Sequence, residues 1–160
     1  MTAWHLEFAT PGQLFGLVRL EQPDDGPFVW FWSALRGVPD VDGLVVVRDL
    51  EVPPPRQGLE VRSEGLWAEL WCEAEGEHWT FGLEAFGLRV ENVSEEIGER
   101  VPVGLDLEWE VGDAGPPSGI VHGDVLVGRG RIAVDAVGRF YAGDAAFDAD
   151  VLGSWLRRDG

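Results

Sequence analysis

GLWAELWCEAEGEHWTFGLEAF, residues 65 to 86, sets Trp67, Trp71, Trp79, Phe81 and Phe86 among glutamates. Two alternating segments flank the EGE mark at 75–77. In LWAELWCE, Trp67, Glu69, Trp71 and Glu73 fall on one face, and Leu66, Ala68, Leu70 and Cys72 on the other. In HWTFGLEA, Trp79, Phe81, Leu83 and Ala85 oppose His78, Thr80 and Glu84. Period two is the signature of a strand with one buried face. The Leu66 face is an ordinary core face, on which Cys72 reads as a small buried residue. The Trp67 face interleaves indoles with carboxylates and stays open to three readings. It is packed under a loop or terminal helix, lines a ligand chamber inside a barrel, or covers a partner surface.

The same period continues outward. VPVGLDLEWEV points Val103, Leu105, Leu107, Trp109 and Val111 one way and Asp106, Glu108 and Glu110 the other. QLFGLVRLEQ shares Leu14, Gly16, Val18 and Leu20 on one face, with Arg19 and Glu21 opposite. PFVWFWSAL is apolar on both faces, Trp30 and Trp32 opposing Phe31, and reads as a strand buried on both sides. GIVHGDVLVG and GRIAVDAVG form a hairpin across Gly128-Arg129-Gly130. Gly/Pro marks recur at PG 11–12, PDDGP 23–27, RGVPDVDG 36–43, PPPRQG 53–58 and GDAGPPSG 112–119. Short strands joined by such turns give an all-β antiparallel barrel or sandwich of about nine or ten strands. NVSEEIGE (92–99) has Asn92 and Glu95 at capping-box spacing, enough for one helical turn.

The tail breaks the pattern. In GDAAFDADVLGSWLRRDG, Phe147, Val151 and Trp155 recur at i, i+4 and i+8, beside Leu152 and Leu156. Asp144 stands as a cap, Asp148 and Asp150 lie early, and Arg157 and Arg158 late, the order a helix dipole favours. A short C-terminal helix on the barrel is expected, with a final strand as its rival.

Composition limits the partners. A chain of 160 residues forms one domain, 1–160. Its 29 acidic residues outweigh 12 basic ones, all arginine, for a net charge of -17. That field repels phosphate backbones, and no basic cluster reverses it, so nucleic acid is excluded as a partner. No apolar run reaches the roughly 18 residues of a membrane span. The start, MTAWHLEFATPG, lacks the basic and apolar regions of a secretory signal, and Cys72 is the single cysteine, both in keeping with a cytoplasmic protein.

Catalytic motifs are absent. There is no GxSxG, P-loop, GxGxxG after a strand, HExxH or CxxC, so neither a metal nor another cofactor is expected. Only His5, His78 and His122 exist, none at metal-type spacing to another His or Cys. His122 and Asp124 share a strand face at i, i+2, and a carboxylate can orient an imidazole for proton transfer. A solvated histidine on a polar face is the plainer account of both His122 and His78. Glu69 becomes an acid near neutral pH only if it is held in a dry chamber.

The runs EGLWAELWCEAEGEHWTFGLEAFGLRVEN, RVPVGLDLEWEV and IVHGDVLVGRGRIAVDAVG together resemble the lipocalin-like barrel proteins. That family includes the carotenoid 1,2-hydratases (hydroxyneurosporene synthases) and the AttH-type proteins. The likeness runs from about residue 60 to 138. It implies a lipocalin-like barrel and a small hydrophobic ligand. Because such proteins commonly hold two barrels and this chain holds one, it also implies a homodimer. Relatives continue into an Arg-Asp-His-Ser-Trp-Gly-like run where this chain reads RFYAGDAAFDADVLG, so that polar cluster is missing.

The leading expectation is ligand binding within the barrel. Trp30, Trp32, Trp67, Trp71, Trp79 and Trp109 are the candidate lining, with His122, Asp124, His78 and Glu69 as polar anchors. The alternative is a hydratase, isomerase or cyclase acting on a polyene or polyketide-like substrate, with His122, Asp124 and Glu69 as the catalytic set. A third reading is an interaction module, which requires a filled interior and an apolar outer face.

Overall fold

The computed structural model describes residues 1–146 and 150–159. Among them ten strands precede one helix: β1 (Thr2–Ala9), β2 (Phe15–Gln22), β3 (Val29–Arg36), β4 (Leu44–Val52), β5 (Glu60–Ser63), β6 (Leu66–Ala74), β7 (His78–Val90), β8 (Glu99–Val111), β9 (Ser118–Val127), β10 (Gly130–Asp144) and α1 (Val151–Asp159). All pairings are antiparallel, in the order β4-β3-β2-β1-β10-β9-β8-β7-β6-β5. The end of β7 also pairs with β4, Leu88 to Val90 against Val46 to Leu44, which closes eight strands into a ring. Along its first half β7 gives that edge to β6, and β5 follows β6. The Ser63 hydroxyl donates to Asp49 Oδ2 at 2.5 Å, drawing β5 toward β4. Among the described residues no helix is long and apolar enough to cross a membrane.

The inner face carries the predicted alternation. Leu14, Val18, Leu20, Phe81, Leu83, Leu105, Leu107 and Trp109 join Leu66, Ala68 and Leu70 in one contiguous buried cluster. Phe140 anchors one end, with ring centroids 4.9 Å from Trp79, 5.3 Å from Phe81 and 5.4 Å from Trp109. Two glycines admit rings this large. The Phe8 ring occupies the volume of a Cβ at Gly16, and the Trp109 indole that of a Cβ at Gly119.

A second cluster lies outside the ring. Trp32, Ala34, Leu44, Val46 and Val90 pack against Val151, Leu152 and Trp155 of α1. This second layer is why β3 is apolar on both faces. The helix begins at Val151, and Asp144 is the last residue of β10, so Asp144 is no cap. The Asp150 carboxylate folds over the first turn beside Gly153, where a Cβ would meet it. Phe147 and Asp148 lie outside the described residues.

Two local expectations are corrected. NVSEEIGE forms a turn in which Ser94 N–H donates to Asn92 Oδ1 at 3.0 Å, because that short-range bond competes with a helix. Cys72 is exposed, since β6 leaves the covered wall beyond Leu70 and is irregular between Cys72 and Ala74. The hairpin at 128–130 forms as read, with Gly128 at φ 60°, which a two-residue turn demands.

Candidate functional site

The strand period assigns each predicted site residue to a face. Trp79 and Trp109 point inward and belong to the core. Trp30 and Trp32 point outward, 6.4 Å apart and edge to face, beneath α1. Trp67, Glu69 and Trp71 lie on the outer face of β6, opposite Glu84, Gly82 and Thr80. His78, His122 and Asp124 are also on the outer wall. The six indoles therefore line no common chamber. Inward positions of a closed eight-strand ring are filled by the core, and outward ones are left to the helix or to solvent.

Two of the outer features gather those residues. Across β6 to β9, Gly82 and Gly104 hollow out the wall between Trp67, Phe86, Pro102 and Leu126. The Trp67 indole leans over Gly82, its Cη2 2.9 Å from where a Cβ would stand. The resulting groove has a volume of about 850 Å³. Phe86 is 51% exposed and Leu126 43% exposed on its rim. The Arg100 guanidinium stacks on the Phe86 ring at 4.0 Å, and Glu84 and Asp106 add carboxylates.

Farther along the same wall, His78 Nε2 lies 3.0 Å from Glu108 Oε1. His122 lies 3.6 Å from both Glu108 and Glu110. Asp124 does not orient His122. It is held by Arg131 at 2.8 Å, and that guanidinium keeps its carboxyl below the usual range. Among the described residues no group of three or more His, Cys, Asp or Glu is placed to hold a metal ion.

The most covered polar constellation was not among the predicted residues. Outward positions of neighbouring strands β2, β1 and β10 align in rows, Arg19 with His5 and Tyr141, and Leu17 with Glu7 and Arg139. Arg19 donates from Nη1 to His5 Nδ1 at 3.0 Å and from Nε to Glu21 Oε1 at 2.6 Å. A guanidinium can only donate, so Nδ1 carries the lone pair. The proton is then on Nε2, which donates to Glu7 Oε1 at 2.7 Å. Burial holds His5 below its ordinary pKa, against the raising effect of the Glu7 bond. For Glu7, burial pushes upward, but the bonds from His5 and Arg158 prevail and hold it below the usual carboxylate value. Arg158 of α1 reaches Glu7 across the barrel surface.

The sequence does carry the signal for this chain. HLE (5–7) and RLE (19–21) are two basic-Leu-Glu triplets, and each leucine faces the core while its flanks face outward. Pairing the two strands puts the triplets side by side. Beside them opens a pocket of about 740 Å³, bounded by Ala3, Arg139, Tyr141, Gly143, Asp144 and Arg158.

Compared with protein-family models, curated proteins and solved structures, the chain matches none.

Proposed function

We propose that this barrel binds a small apolar molecule on the outside of its wall, in the groove between Trp67, Phe86, Pro102 and Leu126. The observation that carries the reading is the glycine pair, Gly82 and Gly104, which removes side chains from the middle of a mainly apolar groove edged by Glu84 and Asp106. The hollow of about 850 Å³ matches the roughly 300–1,000 Å³ of small-molecule sites. Planar ligands suit it best, since the flat backbone at the glycines and the Trp67 ring offer stacking surfaces. A lipocalin-like binder would seat the ligand inside the barrel. Here the contiguous inner core favours the outer wall, and the resemblance over residues 60 to 138 supports the apolar class of ligand.

The hydratase, isomerase or cyclase alternative gains nothing from the placement of its residues. Glu69, His122 and Asp124 stand on the outer wall, where water competes with the dry environment such proton transfer needs. A second reading, a homodimer through the same groove, is favoured by the half-exposed Phe86 and Leu126.

One titration separates them. Planar aromatic and polyene ligands should quench tryptophan emission saturably in the parent and much less in Trp67→Phe. A response that survives in Trp67→Phe would sink the groove as the site. A dimer through the groove would instead show in sedimentation as protein-concentration-dependent mass, lost in Phe86→Glu and insensitive to added salt.

A further inference from the structure

We infer that the pocket between β1, β10 and the end of α1 is a second binding site, for a small organic monocarboxylate held by Arg139 and Tyr141.

Of the 12 arginines, Arg48, Arg56, Arg100, Arg129 and Arg139 form no ion pair among the described residues, and Arg139 is the one of these that stands beside Tyr141 at a pocket. Arg19 is committed to Glu21 and to His5. Arg158 is committed to Glu7. Arg139 forms no ion pair among the described residues, although the register places it directly across from Glu7. Glu7 is engaged elsewhere, its Oε1 accepting from both His5 Nε2 and Arg158. The polar chain thus holds the facing carboxylate on His5 and Arg158 and leaves it unpaired with Arg139. What remains is an exposed guanidinium 5.5 Å from the Tyr141 ring centroid, at the mouth of a hollow of about 740 Å³.

The walls select the ligand. A carboxylate matches the planar fork of Arg139 with two parallel hydrogen bonds, and the Tyr141 hydroxyl is a further donor. Ala3 and Gly143 are small and leave room beside the His5 and Tyr141 rings for an apolar body. Glu7 and Asp144 also line the pocket, and their charge disfavours a dianion such as phosphate. Their presence narrows the class to a single negative charge on an organic frame. His5 stays neutral throughout and acts as the clamp that keeps Glu7 and Arg19 in place.

Tyr141 is the only tyrosine in the chain, so fluorotyrosine labelling gives one ¹⁹F resonance that reports this pocket and not the Trp67 groove. The full chain would be titrated with benzoate, 1-naphthoate and octanoate, with benzamide as the neutral counterpart and inorganic phosphate as the dianion. At least one carboxylate should shift the resonance saturably, benzamide should bind about tenfold more weakly or worse, and Arg139→Gln should lose a similar factor. Arg139 is exposed, so the variant should keep the parent circular dichroism and thermal midpoint. Arg129→Gln, on the far hairpin, should bind as the parent does. The inference is overturned if no carboxylate saturates below about 10 mM, a millimolar-scale limit that already corresponds to weak binding. Benzamide or phosphate binding as tightly as the best carboxylate overturns it too, as does Arg139→Gln retaining parent affinity.

Discussion

Two sets of histidines and carboxylates sit on the same barrel wall, and only one is covered. On β1 and β2, His5 bridges Glu7 and Arg19, and Glu21 at its end is fully buried. On β7, β8 and β9, His78 and His122 flank Glu108 and Glu110, but the His122 side chain is 42% exposed. Residue types and strand geometry are nearly the same. The difference is the layer above. Helix α1 lays Trp155 and Leu152 over neighbouring strands and extends Arg158 to Glu7, whereas nothing among the described residues lies over β8. Cover turns solvated charges into groups that must satisfy one another, because a buried unpaired charge is far costlier than an exposed one.

The largest expected effect tests that cost directly. Arg19→Met takes from the buried Glu21 its guanidinium and from His5 Nδ1 its donor. Denaturant unfolding should show a loss of about 3–5 kcal/mol, the usual cost of breaking one side of a buried pair. The matched variant on the open wall, Arg131→Met opposite Asp124, should leave the unfolding midpoint within error, since exposed pairs are screened by water. Equal losses in the two variants would mean that cover does not separate the regions.

Acid should act on the covered side as well. His5 has a lowered pKa in the folded protein and an ordinary value of about 6.5 once unfolded. The unfolded chain therefore binds the extra proton first. His5 imposes no penalty above about pH 6.5, and below it stability falls by at most about 1.4 kcal/mol per pH unit until the folded imidazole also titrates. Glu7, whose pKa is also lowered, adds a loss of the same sign only below about pH 4.5. Thermal melts from about pH 7.5 to about 5.5 should decline less steeply for His5→Gln than for the parent. Parallel slopes would show that burial leaves the His5 pKa where it is in the unfolded chain.

How far the sequence reached follows the same division. Barrel, strand count, double burial of β3 and the terminal helix were all legible, because inward positions repeat every second residue and the Val151, Trp155 stripe repeats every fourth. The side of the wall was harder to read. Trp67 and Trp71 alternate as cleanly as Trp109 does, yet period alone cannot say which face of a strand the ring encloses. His122 with Asp124 looked like a pair at i, i+2, but Asp124 turned to Arg131 on β10. His5 with Glu7 has the same spacing and does pair, since Arg19 from β2 fixes its tautomer. Those outcomes depend on cross-strand neighbours 14 and 7 residues away, which local spacing does not contain.

A milder effect is expected at the groove. Gly82→Ala places a methyl 2.9 Å from the Trp67 indole, so the ring must move by a few tenths of an ångström. Folding should change by less than about 1 kcal/mol, as is usual away from the core. The emission of Trp67 should shift, and quenching by planar ligands should weaken. Unchanged quenching would place the ligand elsewhere on the wall.

The smallest effect belongs to the open histidine, and it is the sharper half of the comparison. His122→Asn removes an imidazole that stands 3.6 Å from Glu108 and from Glu110, distances too long for short hydrogen bonds. Both glutamates keep their side chains substantially in water, so solvent can replace what the imidazole offered. The unfolding midpoint should move by no more than the roughly 0–1 kcal/mol of surface pairs, and any change should shrink in high salt. His5→Gln at neutral pH, by contrast, disturbs bonds of 2.7 and 3.0 Å that water cannot easily reach. A loss in His122→Asn as large as that in His5→Gln, and insensitive to salt, would show that the open wall is covered in solution. The groove beside it would then be the place to look for the covering partner.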